Sequence, residues 1–194
     1  ALIAKYRLDP ELLLELIRGC EMDLAPARYR TFDELLGYCY RVASAVGLVS
    51  IEIFGYRNPA TREYAVQLGY ALQLTNIVRD VAKDLANGGR IYLPLADLER
   101  FGIAPEDLAE RRGGPRFAEL MAFEADRAET FYARAAGALP PEDRASMLPA
   151  EMMRRVYFRL LQKMRRDGFR MFETSYRLGK LEKLAIVARS LLLG

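Results

Sequence analysis

Gly69-Tyr70-Ala71-Leu72-Gln73-Leu74-Thr75-Asn76-Ile77-Val78-Arg79-Asp80-Val81-Ala82-Lys83-Asp84 is the stretch whose reading decides the fold. Asn76, Asp80 and Asp84 are spaced by four. On an α-helix such residues drift by only about 40° per step, so they share one face, and Gln73 lies one turn earlier on the same side. Leu72, Leu74, Ile77, Val78 and Val81 fill the intervening positions and belong in a core. A polar row on an otherwise buried helix is costly without a partner, and two carboxylates one turn apart repel. A divalent cation offsets both costs, and oxygen-only ligands suit Mg²⁺ or Mn²⁺. Mg²⁺ commonly takes substrate phosphates as further ligands. Magnesium with a diphosphate is therefore the first chemistry this helix suggests. The competing reading is a solvated charged face with Arg79 and Lys83 as surface partners. Gln73 and Asn76, upstream in an apolar helix, weigh against it.

Composition narrows the field. A chain of 194 residues that is 52% hydrophobic fits one domain with a sizeable core. Lys+Arg 29 against Asp+Glu 26 leaves a net charge of +3, so charge gives no argument for a nucleic-acid partner. The absence of histidine from the sequence excludes Ser-His and Cys-His nucleophile systems and any His-ligated metal. Cys20 and Cys39 supply neither a disulfide framework nor zinc spacing, and reduced thiols in a cytoplasmic setting are expected. No apolar run approaches the roughly 18 residues of a spanning helix, and no secretory signal is visible.

Helical period dominates and sustained strand alternation is missing, so the fold class is all-α. Asp9-Pro10-Glu11 starts a helix with Asp as N-cap and Pro at N1; Leu12, Leu13, Leu16 and Ile17 form its apolar face, and Pro26 breaks it. Thr31-Phe32-Asp33-Glu34 is a capping box that opens a helix running to about Phe54 and ending at Gly55. Asn58-Pro59 restarts the chain into the helix of the opening motif, which Asn87-Gly88-Gly89 ends. A short helix ends at Phe101-Gly102, Pro105 begins a turn, and Arg111 to Pro115 is a loop. A long helix spans about Arg116 to Ala136, Pro140-Pro141 breaks it, and Pro149, Gly168 and Gly179 mark later breaks. The expected architecture is a helical bundle around a central cavity.

Two further segments carry chemistry. Tyr38-Cys39-Tyr40-Arg41-Val42-Ala43-Ser44-Ala45-Val46-Gly47 is rich in small residues, which suits either tight helix packing or room for a ligand. Arg90 and Tyr92 follow the acidic helix, and an Arg beyond two metal-bound aspartates is placed to hold diphosphate oxygens. Tyr38-Cys39-x-x-Val42-Ala43-Ser44-Ala45-Val46-Gly47 resembles the first signature of the squalene and phytoene synthases. Gly69-x-x-x-Gln73-x-x-Asn76-Ile77-x-Arg79-Asp80-x-x-x-Asp84, followed by Gly89-Arg90-x-Tyr92-x-Pro94, resembles the second. The resemblance extends over roughly residues 6 to 190, and Ile91 to Pro94 with Ile53 to Tyr56 most resemble the bacterial enzymes of the hopanoid route.

The resemblance implies the isoprenoid synthase-type helical bundle and a Mg²⁺-dependent head-to-head joining of two prenyl diphosphates. Farnesyl diphosphate going to presqualene diphosphate or squalene is the first expectation, with phytoene or dehydrosqualene synthesis as the alternative. NADPH enters only where the product is squalene. By the same resemblance Asp80, Asp84 and Asn76 hold the metal. Tyr38, Tyr157 and Arg79 are the catalytic residues, and Gln73, Asn76, Arg90, Tyr92, Val42 and Val46 bind substrate. The family's first aspartate motif belongs upstream of Tyr38. Only Asp9, Asp23 and Asp33 precede Tyr38, none with the required spacing, so the chain is expected to be N-terminally truncated relative to the family. That raises a reading of another class, a non-catalytic relative acting as a scaffold. Missing helices also predict apolar surface and self-association. The basic stretch Arg154, Arg155, Arg159, Lys163, Arg165, Arg166 and Arg170, with the amphipathic end Leu181 to Leu193, reads either as a solvated helix face or as peripheral contact with the inner face of the cytoplasmic membrane.

Overall fold

The computed structural model describes residues 2–25, 28–111 and 113–193. Among them there is no sheet, only an isolated bridge between Arg28 and Ile91. A short helix α1 (Leu2–Tyr6) precedes α2 (Pro10–Met22), whose N-cap Asp9 accepts a hydrogen bond from the Glu11 N–H at 2.9 Å. Helix α2 stops at Met22, and the Asp23 N–H closes its last turn; the break expected at Pro26 lies outside the described residues, as does Arg112 of the expected loop. The inner face of α2 is built on Leu12 and Gly19, whereas Ile17 is 54% exposed, against the expectation.

Thr31 caps α3 (Phe32–Cys39) by accepting from the Glu34 N–H at 3.2 Å, and Glu34 reaches back to the Arg30 N–H at 2.6 Å. Tyr40–Ser44 then form one π-helical turn, which the sequence reading did not predict, before α4 (Ala45–Phe54). Gly55, at φ 81°, ends this run. Phe32–Phe54 is long and apolar enough to cross a membrane by length and composition, contrary to the expectation of no such helix. Leu35, Tyr38, Cys39, Ala45, Leu48 and Ile51 of this run are buried and Arg41 pairs with Glu15 at 2.9 Å, while Val46, Ile53 and Phe54 are exposed and 33% of its most apolar window is buried.

Helix α5 (Thr61–Ala86) is the central member, packed against α8 and the α3–α4 run. Both its ends are fixed. Asp143, 1% exposed, accepts from the Arg57 N–H at 2.8 Å, the Asn58 N–H at 3.0 Å and the Thr61 hydroxyl at 2.6 Å. At the other end Gly88 and Gly89 take positive φ, and the chain turns back along the segment before α3. There the Leu95 N–H donates to the Tyr29 carbonyl at 2.8 Å, and the Ala96 N–H to that of Arg30 at 3.0 Å. Helix α6 (Leu95–Arg100) and α7 (Pro105–Ala109) lead to α8 (Pro115–Ala138), a turn at Pro141–Asp143, α9 (Leu148–Arg166) and α10 (Lys180–Leu193). Pro149 lies in the first turn of α9 and starts that helix where a break was expected, because a proline there forfeits no helical hydrogen bond.

The basic stretch of α9 is largely spent inside the fold. Arg154 pairs with Glu151, Arg155 donates to the Ser190 hydroxyl, Arg165 pairs with Asp126 and Glu129, and Lys163 donates to the Arg177 carbonyl. Helix α6 is pinned to α8 by Arg127, which bridges Asp97 and the buried Glu124 while its guanidinium stacks on Phe32 and Phe123. Burial, with Asp97 nearby, pushes the Glu124 carboxyl up to about 7 despite Arg127.

A folded-state value above the ordinary 4.5 means that the folded chain holds this proton more tightly. The contribution of Glu124 to stability therefore falls as pH rises from the ordinary glutamate range to about 7, by roughly 3 kcal/mol. Glu124→Gln removes this dependence. The melting temperature of the variant relative to the parent is expected to rise between pH 5 and pH 8, and a constant difference across that range would refute the assignment.

Candidate functional site

The site follows from the faces of α5. Its first half presents Ala65, Leu68, Gly69 and Leu72 to a cavity of about 460 Å³, walled opposite by Val42, Val46 and Ile51 and by Met153 and Tyr157 of α9. Its second half presents Ile77, Arg79, Asp80 and Asp84 to a polar recess of about 210 Å³, shared with Tyr38 and Tyr92. Gln73 and Asn76 line both spaces, so an apolar chamber opens into a charged mouth along one helix.

Close backbone approach builds the chamber. A Cβ on Gly69 would stand 2.5 Å from the Ser44 Cα, so α5 touches the π-helical turn backbone to backbone. The Ser44 hydroxyl donates to the Val66 carbonyl at 2.9 Å and fixes the crossing. The small residues of the first signature thus do both jobs weighed for them. Ser44 and Gly47 pack, while Val42, Ala43 and Val46 leave room.

The mouth is electrostatically unresolved. Burial, then the neighbouring Asp80, pushes the Asp84 carboxyl up to about 6. Arg79 turns onto Asp80 through Nε at 2.9 Å and through a second, shorter contact. The Asn76 amide nitrogen donates to Gln73 Oε1 at 3.3 Å, while Asn76 Oδ1 is buried with no partner. An orphaned amide oxygen beside two carboxylates, one of them destabilised in its charged form, is a donor set that fits a hard divalent cation. Among the described residues these two carboxylates are joined by no third acidic, thiol or imidazole group suited to a metal.

Asp23 is the residue sequence reasoning passed over. Its carboxylate accepts from the Tyr92 hydroxyl at 2.7 Å and the Tyr38 hydroxyl at 3.0 Å, and its carbonyl accepts from Arg90 at 3.0 Å. Tyr38 and Tyr92 stack with ring centroids 5.2 Å apart, and Tyr29 packs on both. Burial, with these hydrogen bonds to Asp23, keeps both phenols protonated, raising Tyr92 to about 12 and Tyr38 well above its ordinary range. Asp23 lies in a turn with no periodic pattern, so no spacing rule flags it. Arg90 lies beside Asp84 but outside the mouth lining, with its guanidinium on the Asp23 carbonyl. Tyr157 lines the apolar chamber next to Arg79.

Comparison with known proteins accords with this geometry. The family model described as squalene/phytoene synthase matches residues 1–183. The chain belongs to the squalene/phytoene synthase family. It is 39% identical over 186 residues to the phytoene synthase of Arthrospira platensis, covering 88% of this chain and 59% of that protein. The crystal structure of squalene synthase HpnC from Alicyclobacillus acidocaldarius aligns with a TM-score of 0.77 at 31% identity, over 86% of this chain and 63% of that one. A dehydrosqualene synthase solved with a ligand aligns at 0.83 and 26%, over 96% and 66%. The chain thus spans 59% of the length of the phytoene synthase it matches.

Two outcomes follow from the site. Gly69→Ala forces α5 off the π-helical turn and is expected to cost about 1–3 kcal/mol in chemical denaturation, with an unchanged midpoint refuting the close contact. Asp84 is costly in its charged form above pH 6, so its unfavourable contribution grows as pH rises from the ordinary aspartate range to about 6. Asp84→Asn is therefore expected to melt higher than the parent at pH 8 in chelator, and lower thermal stability there would count against the repulsion.

Proposed function

We propose that this chain binds allylic prenyl diphosphates and serves their head-to-head condensation, in the phytoene or dehydrosqualene direction. The observation that carries this reading is the junction at Gln73 and Asn76, where an apolar chamber meets a mouth holding Asp80, Asp84 and the unpartnered Asn76 oxygen. That shape fits a molecule with a long hydrocarbon tail and a strongly anionic head. The similarity to a phytoene synthase and a dehydrosqualene synthase supports this branch over the hopanoid reading of the sequence, while the HpnC match keeps squalene-type chemistry within the family's range.

Asp80, Asp84 and Asn76 Oδ1 would hold Mg²⁺ or Mn²⁺, which supplies charge neutralisation for the departing diphosphate. Arg79 reaches the same mouth and, on leaving Asp80, donates to a diphosphate oxygen. Tyr38 directs its proton at Asp23, so it works as a neutral phenol, with its ring and oxygen lone pairs offered to a developing carbocation. Val42, Val46 and Leu72 exclude water from the cation, and Tyr157 lines the same chamber beside Arg79. NADPH belongs to the squalene outcome and has no part in this branch. Val46, Ile53, Phe54 and Met153 leave apolar surface about the chamber, which supports self-association of the isolated chain.

Titration calorimetry with non-hydrolysable fifteen- and twenty-carbon prenyl thiodiphosphates tests the reading. Binding is expected to require Mg²⁺ or Mn²⁺. Asp80→Asn with Asp84→Asn, and Asn76→Ala alone, should each weaken it at least about tenfold while leaving the circular dichroism spectrum unchanged. Equal binding with and without metal, or by the variants, would overturn the assignment.

A further inference from the structure

A further recess of about 300 Å³ lies outside the site, between the end of α8, the turn that follows it and α9. Leu139 and Leu148 give it an apolar side, and Arg144, Glu151, Arg154 and Arg155 a charged one. It shares no lining residue with the chamber or the mouth. On α9, Ala150, Met153 and Tyr157 meet the chamber, whereas Glu151, Arg154 and Arg155 fall on another face of the same helix.

Charge does not balance in this recess. Arg154 is answered by Glu151, through Nε and Nη2, each at 2.8 Å. Glu151 also accepts from the Tyr64 hydroxyl at 3.1 Å, so it is already committed to two partners. Arg155 has a neutral partner, donating at 2.9 Å to the Ser190 hydroxyl, whose own proton goes to the Ile186 carbonyl. Arg144 is exposed. Among the described residues neither Arg144 nor Arg155 meets a carboxylate. The acids just before Arg144 are turned elsewhere, Glu142 onto Asn58 and Asp143 onto Arg57, Asn58 and Thr61. Three guanidiniums against one carboxylate leave the recess with a surplus of two positive charges.

We propose that this recess is a second anion site, which binds a dianionic phosphate group among the guanidiniums of Arg144, Arg154 and Arg155. Each guanidinium carries more N–H donors than its present partners use, in a planar fork that fits phosphate oxygens. Glu151 and Ser190 already hold Arg154 and Arg155 in place, so only Arg144 has to be ordered on binding. The surplus of two charges matches a phosphate dianion rather than a single carboxylate. The mouth offers a free anion less, because without a metal it presents Asp80 and Asp84. Glu151 also ties the recess to the chamber, holding Arg154 and at the same time Tyr64 of the chamber wall. This inference does not depend on the reaction proposed above.

Titration calorimetry of the purified chain with inorganic phosphate, in chelator and about 0.1 M NaCl, tests it. Saturable binding is expected, with a Kd of about 1 mM or tighter. Arg144→Ala and Arg155→Gln remove charge at an exposed and a half-buried position, the second keeping a donor for Ser190. Each should weaken binding at least about tenfold while leaving the circular dichroism spectrum unchanged. Phosphate should also raise the melting temperature of the parent by more than that of Arg144→Ala. Glycerol 3-phosphate separates two sources of the group. Tighter binding than inorganic phosphate supports the site as one for a phosphate ester, and weaker binding supports it as one for the free ion. No saturable binding by the parent, or unchanged affinity in either variant, would overturn the proposal.

Discussion

Asp80 and Asp84 stand one turn apart on a helix with a largely buried apolar side, and the structure around them is arranged to live with that field. Each is treated differently. Asp80 is answered by Arg79 on the same helix, whereas Asp84 is left with a raised pKa. Asn76 adds an acceptor with nothing to accept from. A helix optimised only for packing would place apolar side chains at these positions and gain stability from the exchange. Two carboxylates and an unpartnered amide oxygen on one face are a set whose mutual cost a divalent cation would relieve.

The aromatic wall opposite the carboxylates is held by a different device. Tyr38 comes from α3 and Tyr92 from the segment after α5, two parts of the chain far apart in sequence. One carboxylate, Asp23, receives both hydroxyls, and its own backbone carbonyl receives Arg90. Asp23 thereby spends its charge on orienting two phenols and a guanidinium. Burial, with Asp23 as their hydrogen-bond acceptor, keeps the phenols neutral.

The helices and the acidic row were legible in the sequence because they rest on local rules: caps at Asp9 and Thr31, glycines after α4 and α5, and a spacing of four in an apolar context. What escaped depends on contacts between segments. The π-helical turn at Tyr40–Ser44 arises where α5 presses on it at Gly69, and neither segment declares it alone. Asp23 gains its role from partners 15 and 69 residues away. The α9 cations read as a basic surface because their acidic partners, Asp126 and Glu129, sit on another helix. Ile17 followed the helical period yet faces outward, since α2 packs through Leu12 and Gly19.

Helix α5 sets apolar chamber and polar mouth in order along its own axis. Ala65, Leu68 and Leu72 meet the chamber, Gln73 and Asn76 mark the boundary, and Asp80 and Asp84 meet the mouth. Sliding α5 by one turn, about 5.4 Å, would carry carboxylates toward the chamber and leucines toward the mouth. The register therefore decides which side chains meet which space, and two features fix it. Asp143 clasps the start of the helix, and the Gly69–Ser44 backbone contact locks its middle. A side chain at position 69 would act on both halves of the site at once, because lifting α5 from the π-helical turn moves Tyr38 and Val42 relative to Asn76 and Asp80. The glycine that opens the acidic motif is thus part of the same device as the acids that close it.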